Sequence, residues 1–274
     1  MPHPFDRAIG LELGKDPQTL GVEVSDQWSI NHTPNGGYIM ALVLSGLRLG
    51  FKGDPGACIA TANYMDRCRK GPGELKLETM GESGSYLRRQ VRLVQAHGER
   101  VRAWATLMRF AEQGRDLDGS PGELAPPDQC APVAYMPGYT LFNGVDMRLD
   151  PSCAGWMDGR PQGGGAFMKG WIRFRRERPY DAASIALFCD CFPPCVFNRW
   201  GMTAWVPTLE YTVNIRQLPK TLWLKGFFKS RFLSAGLVEE DGELWDTAGN
   251  LIAVSRQVAK FSIPDVEESM GALV

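Results

Sequence analysis

The 274-residue sequence predicts an α+β protein built from two tandem copies of one unit, each an antiparallel sheet wrapped around a long central helix. Three observations carry this. The chain repeats itself at an offset of about 147 residues, the second copy alternates polar and apolar residues with the two-residue period of half-buried strands, and a Pro-, Gly- and Asp-rich stretch separates the copies.

The repeat is visible by eye. Thr61-Ala-Asn-Tyr-Met-Asp-Arg-Cys-Arg matches Thr208-Leu-Glu-Tyr-Thr-Val-Asn-Ile-Arg at Thr, Tyr and Arg, and both copies run into a Pro-containing turn. Gly98-Glu-Arg-Val, followed by Arg109-Phe110, corresponds to Gly249-Asn-Leu-Ile, followed by Lys260-Phe261. Upstream, the segment opening Gly36-Gly37-Tyr38-Ile39 corresponds to Ala182-Ala183-Ser184-Ile185, and both read as a helix ahead of the matched strands. The helix of the first copy is expected over 36–49.

Strands follow from alternation. Leu209, Tyr211, Val213 and Ile215 interleave with Thr208, Glu210, Thr212 and Asn214, the pattern of one buried and one open face. Further strands are expected over 222–232, 236–245 and 251–261, divided by turns at Asp241-Gly242 and Ala248-Gly249-Asn250. In the first copy they are expected over 75–82, 86–95 and 100–110. The domain reading is therefore 1–112 for the first unit, 113–138 for the linker, 139–264 for the second unit and 265–274 for a tail. Exposed sheet edges invite the two units to pair with each other, and double units to form a homo-oligomer.

Composition narrows the function classes. Lys plus Arg (30) balances Asp plus Glu (31), so no long-range field favours nucleic acid or an anionic membrane surface. No stretch approaches the roughly 20 apolar residues of a membrane span, and Met1 to Gly10 has no apolar secretory core, which points to the cytoplasm. Seven scattered cysteines do not suggest a disulfide framework; Cys189, Cys191 and Cys195 lack the second pair of ligands a zinc site needs, so no metal is expected.

Several motifs together resemble the double-hotdog acyl-CoA thioesterases of the thioesterase II type and their thioesterase-like relatives. They are Trp28 through Asn35-Gly36-Gly37-Tyr38, Phe188-Cys-Asp190 before Pro193-Pro194, Pro207-Thr208-Leu-Glu-Tyr-Thr, and Glu243-Leu-Trp-Asp246 through Ser255-Arg256-Gln257. The resemblance implies a tandem hotdog fold, hydrolysis of acyl-CoA to free acid and CoA without a cofactor, and a place in fatty acid metabolism. It also implies a catalytic trio of Asp190, Thr208 and Gln257 in the second unit, with Asn35, Gly36, Gly37 and Tyr38 binding substrate. The first unit departs from the family, which has Gly-Gly-Gln where this chain has Gly36-Gly37-Tyr38.

The residue types suit the chemistry. Asp190 interrupts an apolar run at an expected helix C-terminus, where the dipole disfavours an anion and makes the carboxylate a better base. Thr208 offers a hydroxyl to hold a water, and Gln257 is a polar group on a largely apolar strand face that needs partners. Each also has a structural reading: a solvated carboxylate, a β-branched strand residue, a satisfied core amide. Gly36-Gly37 either presents helix N–H groups to an oxyanion or permits close packing. By the repeat, Leu44 stands opposite Asp190 and Thr106 opposite Gln257, so one active site per chain is expected. Arg173, Arg175, Arg176 and Arg178 read as a solvated strand face, or as a patch for CoA phosphates. Trp200, Trp205, Trp223, Phe227 and Phe228 read as core or as an acyl tunnel. Two other classes stay open: a hotdog hydratase, for which Asp26 and His32 are the available pair, and a non-catalytic acyl-CoA binding protein.

Overall fold

Two buried helices organise the chain, and each starts for a local reason. A computed structural model describes residues 1–52, 58–108, 119–161, 163–202 and 204–262. In the first unit, strand β1 (Thr19–Val24) precedes helix α1 (Gly36–Leu47). Asn35 caps α1 by accepting the Tyr38 N–H at 3.0 Å. Ten of the helix's residues are buried, so it is apolar all round and lies inside the sheet's curve rather than on a surface. It stops at Leu47, two residues short of the expected end, where Leu49 is exposed and Gly50 takes a left-handed φ of 72°. Strands β2 (Cys58–Tyr64), β3 (Gly71–Glu82), β4 (Tyr86–Gln95) and β5 (Gly98–Met108) complete the unit. The expected extension of the last strand to Arg109 and Phe110 lies outside the described residues.

The second unit repeats this order: β6 (Val145–Leu149), β7 (Phe167–Phe174), helix α2 (Ala182–Phe188), a short helix α3 (Val196–Trp200), then β8 (Thr208–Ile215), β9 (Leu224–Lys229), β10 (Leu237–Asp246) and β11 (Leu251–Lys260). A reciprocal capping box between Asp181 and Ser184 starts α2. Apart from the two-residue pair Ser29–Ile30 and Thr33–Pro34, the described strands join one antiparallel sheet, whose longer members run in the order β1-β3-β4-β5-β2-β8-β11-β10-β9-β7-β6. The order reads alike from both ends, so duplication is written into the topology: β2 answers to β8, β5 to β11, β4 to β10, β3 to β9 and β1 to β7. The seam is the antiparallel pair β2–β8, where Thr61 and Thr212 share a hydroxyl–hydroxyl hydrogen bond of 2.9 Å.

The stretch that composition marks as a linker is, over residues 119–138, laid against the second unit. Ala131 pairs with Leu149 of β6, Trp171 Nε1 donates to the Ala125 carbonyl at 2.8 Å, and the Ala125 N–H donates to Asp150 at 2.9 Å. It covers an edge strand that would otherwise present unpaired backbone. The arginine cluster is likewise structural. Arg173 pairs with Asp146 and stacks on Trp223, Arg175 donates to the Phe142 carbonyl, Arg176 to that of Met1, and Arg178 joins Asp6 to Asp181. All seven cysteines are buried free thiols. No helix among the described residues is long and apolar enough to cross a membrane.

Candidate active site

The two helices lie against each other, and the site forms where the N-terminus of α1 meets the C-terminus of α2. Asp190 sits two residues past the end of α2, its N–H donating to the Leu187 carbonyl at 3.0 Å. Its carboxylate faces α1. Oδ2 accepts from the Gly37 N–H at 2.5 Å and from Asn35 Nδ2 at 3.0 Å, and the same Asn35 amide donates to the Asp190 carbonyl at 3.1 Å. Oδ1 takes no hydrogen bond from the described residues.

Glycine at two successive positions permits this approach. A Cβ on residue 37 would lie 2.7 Å from Asp190 Cβ and 2.9 Å from the Leu187 carbonyl oxygen, closer than packed atoms stand. A Cβ on residue 36 would lie 3.0 Å from Asp190 Oδ2 and 3.5 Å from both Thr208 Oγ1 and the Tyr64 hydroxyl. The missing side chain of Gly36 thus leaves a space ringed by three oxygen atoms. Gln257 Nε2 donates to Thr208 Oγ1 at 2.6 Å, which leaves the threonine proton to point elsewhere, and Tyr64 donates to the Gly36 carbonyl at 2.6 Å.

Burial dominates the electrostatics. It pushes the Asp190 carboxyl up to about 7; the Glu240 charge adds to this, while the Gly37 N–H and the Asn35 amide oppose it. The side chain keeps some accessible surface, on a cavity of about 490 Å³ that Thr208, Gln257, Tyr64, Asn35 and Gly36 also line. Beyond this polar end the wall is mostly apolar, formed by Phe142, Trp156, Phe192, Phe197 and Val238, with Glu240 and Ser230 among them. A carboxylate half-protonated near neutral pH, beside a hydroxyl and an amide at the head of an apolar cavity, is equipped for proton transfer to a water.

Of the residues singled out from sequence, Asp190, Thr208, Gln257, Asn35 and Gly36 share one cavity, with Gly37 behind them holding the carboxylate. Tyr38 does not line it. Its ring is fully buried on the far side of α1, where its hydroxyl donates to the Ala8 carbonyl at 2.9 Å and accepts the Ser25 N–H at 2.9 Å. Two residues along a helix turn a side chain roughly 200° away, so neighbours of a site residue in sequence leave its face. Trp205 lines the cavity, Phe228 stacks behind Phe192 at 4.7 Å, Trp200 packs on Phe261 and Trp223 lies under Arg173. His32 is exposed and Asp26 pairs with Lys70; neither lies on the cavity wall. Tyr64 and Glu240 were not read as site residues. Tyr64 had a signal as a conspicuous repeat match; Glu240 was hidden in an acidic run.

One continuous antiparallel sheet wrapped around two paired helices defines a tandem hotdog, and solved structures agree. A Thermobifida fusca protein described as a thioesterase II superposes with a TM-score of 0.84 at 22% identity, over 96% of this chain and 99% of that one. A hotdog-fold protein of Alicyclobacillus acidocaldarius gives 0.85 at 20% identity, over 97% and 100%. An acyl-CoA thioesterase II of Mycobacterium marinum gives 0.75 at 16%, over 95% and 99%. An uncharacterized protein of Mycobacterium tuberculosis is 26% identical over 93% of this chain and 97% of its own length. Family models for the acyl-CoA thioesterase N-terminal and C-terminal domains match residues 24–108 and 127–261. The chain therefore belongs to the acyl-CoA thioesterase family, and it is a thioester hydrolase.

Proposed function

We propose that the protein hydrolyses acyl-CoA to the free acid and CoA at one site per chain, with Asp190 as general base and Thr208 and Gln257 holding the attacking water. The observation that supports this most is the space before Gly36, ringed by Asp190 Oδ2, Thr208 Oγ1 and the Tyr64 hydroxyl, at the head of an apolar cavity.

In this reading the thioester carbonyl enters that space and the acyl chain follows the apolar wall. Asp190 takes a proton as the water oxygen bonds to the carbonyl carbon, giving a tetrahedral oxyanion. Gly36 lies in the first turn of α1, where N–H groups have no acceptor within the helix, and its N–H is the donor we assign to the oxyanion. Collapse breaks the C–S bond, and the Asp190 proton passes to the departing sulfur. Asp190 is thereby returned as a carboxylate, and no cofactor is consumed.

The test is thiol release from a panel of acyl-CoAs by the wild-type protein and Asp190→Asn. Loss of the base is expected to lower kcat by roughly 100- to 10,000-fold. Because the acid form of Asp190 is inactive, kcat/KM should fall about tenfold per pH unit below about 7. Full turnover by Asp190→Asn, or a flat profile from pH 5 to 8, would overturn the assignment.

A further inference from the structure

The acyl arm of the cavity is not wholly apolar, and its polar atoms lie in a line. On β11, Gln257 stands directly across from Glu240 of β10. On the other side of β10, Lys229 of β9 pairs with Asp241, which brings the next residue, Ser230, beside Glu240. Gln257, Glu240 and Ser230 thus form a polar row across β11, β10 and the end of β9, which Thr208 of β8 joins through its hydrogen bond to Gln257, and all four line the cavity. Thr208 and Gln257 serve the reaction proposed above. Glu240 and Ser230 do not touch its reacting atoms, although the Glu240 charge helps to raise the Asp190 carboxyl.

Glu240 and Ser230 are costly there. Glu240 Oε2 accepts the Cys195 N–H at 2.8 Å, while Oε1 takes no hydrogen bond from the described residues. Burial raises its carboxyl above the usual range. Ser230 Oγ is buried without a hydrogen-bond partner, and the Cys195 thiol, a weak one, stands near both it and the Glu240 carboxylate. Around them stand Phe192, Phe197, Trp156 and Val238. The Ser230 hydroxyl is already shut off from water with no partner, and a saturated chain filling this arm would shut Glu240 Oε1 off as well. A hydroxyl on the chain satisfies both: it donates to Glu240 Oε1 and accepts from Ser230 Oγ.

We propose that Glu240 and Ser230 form a polar subsite in the acyl arm that receives a hydroxyl carried by the acyl group. This rests on the thioesterase reading and names its substrate class. Strands stand about 4.8 Å apart, so the subsite lies one to two spacings from Gln257, which puts the hydroxyl roughly four to seven carbons along the chain.

The experiment compares kcat/KM for thiol release from hexanoyl-CoA, 3-hydroxyhexanoyl-CoA, 5-hydroxyhexanoyl-CoA and 6-hydroxyhexanoyl-CoA, using wild type, Glu240→Leu and Ser230→Ala. The wild type should prefer the 5- or 6-hydroxy substrate over hexanoyl-CoA by at least about tenfold. Glu240→Leu should abolish or reverse that preference while still turning over hexanoyl-CoA, and Ser230→Ala should reduce it. Equal rates on all four substrates, or a preference that survives in Glu240→Leu, would overturn the subsite and leave the thioesterase reading standing. No thiol release from any substrate would overturn the thioesterase reading; the Kd ratio of the hydroxylated to the plain acyl-CoA, by calorimetry, then decides the subsite separately, a ratio near one refuting it. If Glu240→Leu fails to fold, Glu240→Gln is read against the same ratios and should weaken the preference.

Discussion

The two units share a topology strand for strand, yet only the second supplies an acid at the helix end. The position that repeats Asp190 is Leu44, fully buried in α1, and the position that repeats Gln257 is Thr106. At the helix starts the asymmetry runs the other way. The first unit has Gly36-Gly37, which admits a carboxylate; the second has Ala182-Ala183 under its own capping box. Neither copy holds a site alone. One supplies the acid and the other the helix N-terminus that receives it, so the candidate site belongs to the junction of the two helices rather than to either unit.

This contrast can be broken at several points. The largest expected effect is on stability at alkaline pH. The Asp190 carboxyl is raised to about 7 in the folded state from an ordinary value near 3.9, so the folded chain holds a proton that the unfolded chain releases. The contribution of Asp190 to stability therefore falls as pH rises from about 4 through 7, with a ceiling of roughly 4 kcal/mol set by about 1.4 kcal/mol per tenfold change in acidity. Asp190→Asn removes the penalty, so its Tm should exceed that of wild type at pH 8 and converge with it near pH 4. Superimposable Tm profiles would show that burial does not load Asp190 in this way.

Gly37→Ala sharpens the comparison between the helix starts. The added methyl meets Asp190 Cβ and the Leu187 carbonyl, and overpacking of this kind costs about 1–3 kcal/mol. On the twin helix, Ala183→Gly should cost only about 0.5–1 kcal/mol, by backbone entropy. Urea denaturation of both variants decides it; equal losses would mean that the close approach at Gly37 carries no special weight. The smallest effect is expected at the seam. Thr61→Val breaks the hydroxyl pair with Thr212, worth about 0.2–1 kcal/mol, and should leave thiol release unchanged. A large drop in activity would show that the seam transmits strain to the site.

Much of the frame was legible in the sequence. The alternation from Thr208 to Ile215 is a strand with those same ends, and the Gly36 helix begins where Asn35 can cap it. Ends were legible to within a few residues: the strand expected over 222–232 is Leu224–Lys229, because the Thr221 hydroxyl and the Glu239 carboxylate take up the flanking backbone in turns. The site was legible in part. Asp190, Thr208 and Gln257 came through a family resemblance, since each by itself is an ordinary surface, strand or core residue. Tyr38 was placed by adjacency, and helical rotation took it elsewhere. Glu240 sits in Glu239-Glu240-Asp241, an acidic run that reads as a solvated hairpin; the alternation of a strand turns only the middle residue inward.

By itself the sequence determined what depends on local periodicity: two copies, a helix and a run of strands in each, and a polar residue at each of three telling positions. These are set by backbone sterics and by the burial of one face, which near neighbours decide. Only the tertiary structure decided which partners those residues meet. Asp190 and Gly37 are 153 residues apart, and their hydrogen bond exists because the helices pack end against end. The neutral-range acidity of Asp190 has the same origin: desolvation and the field of Glu240 are properties of the assembled interior, and no stretch of sequence carries them.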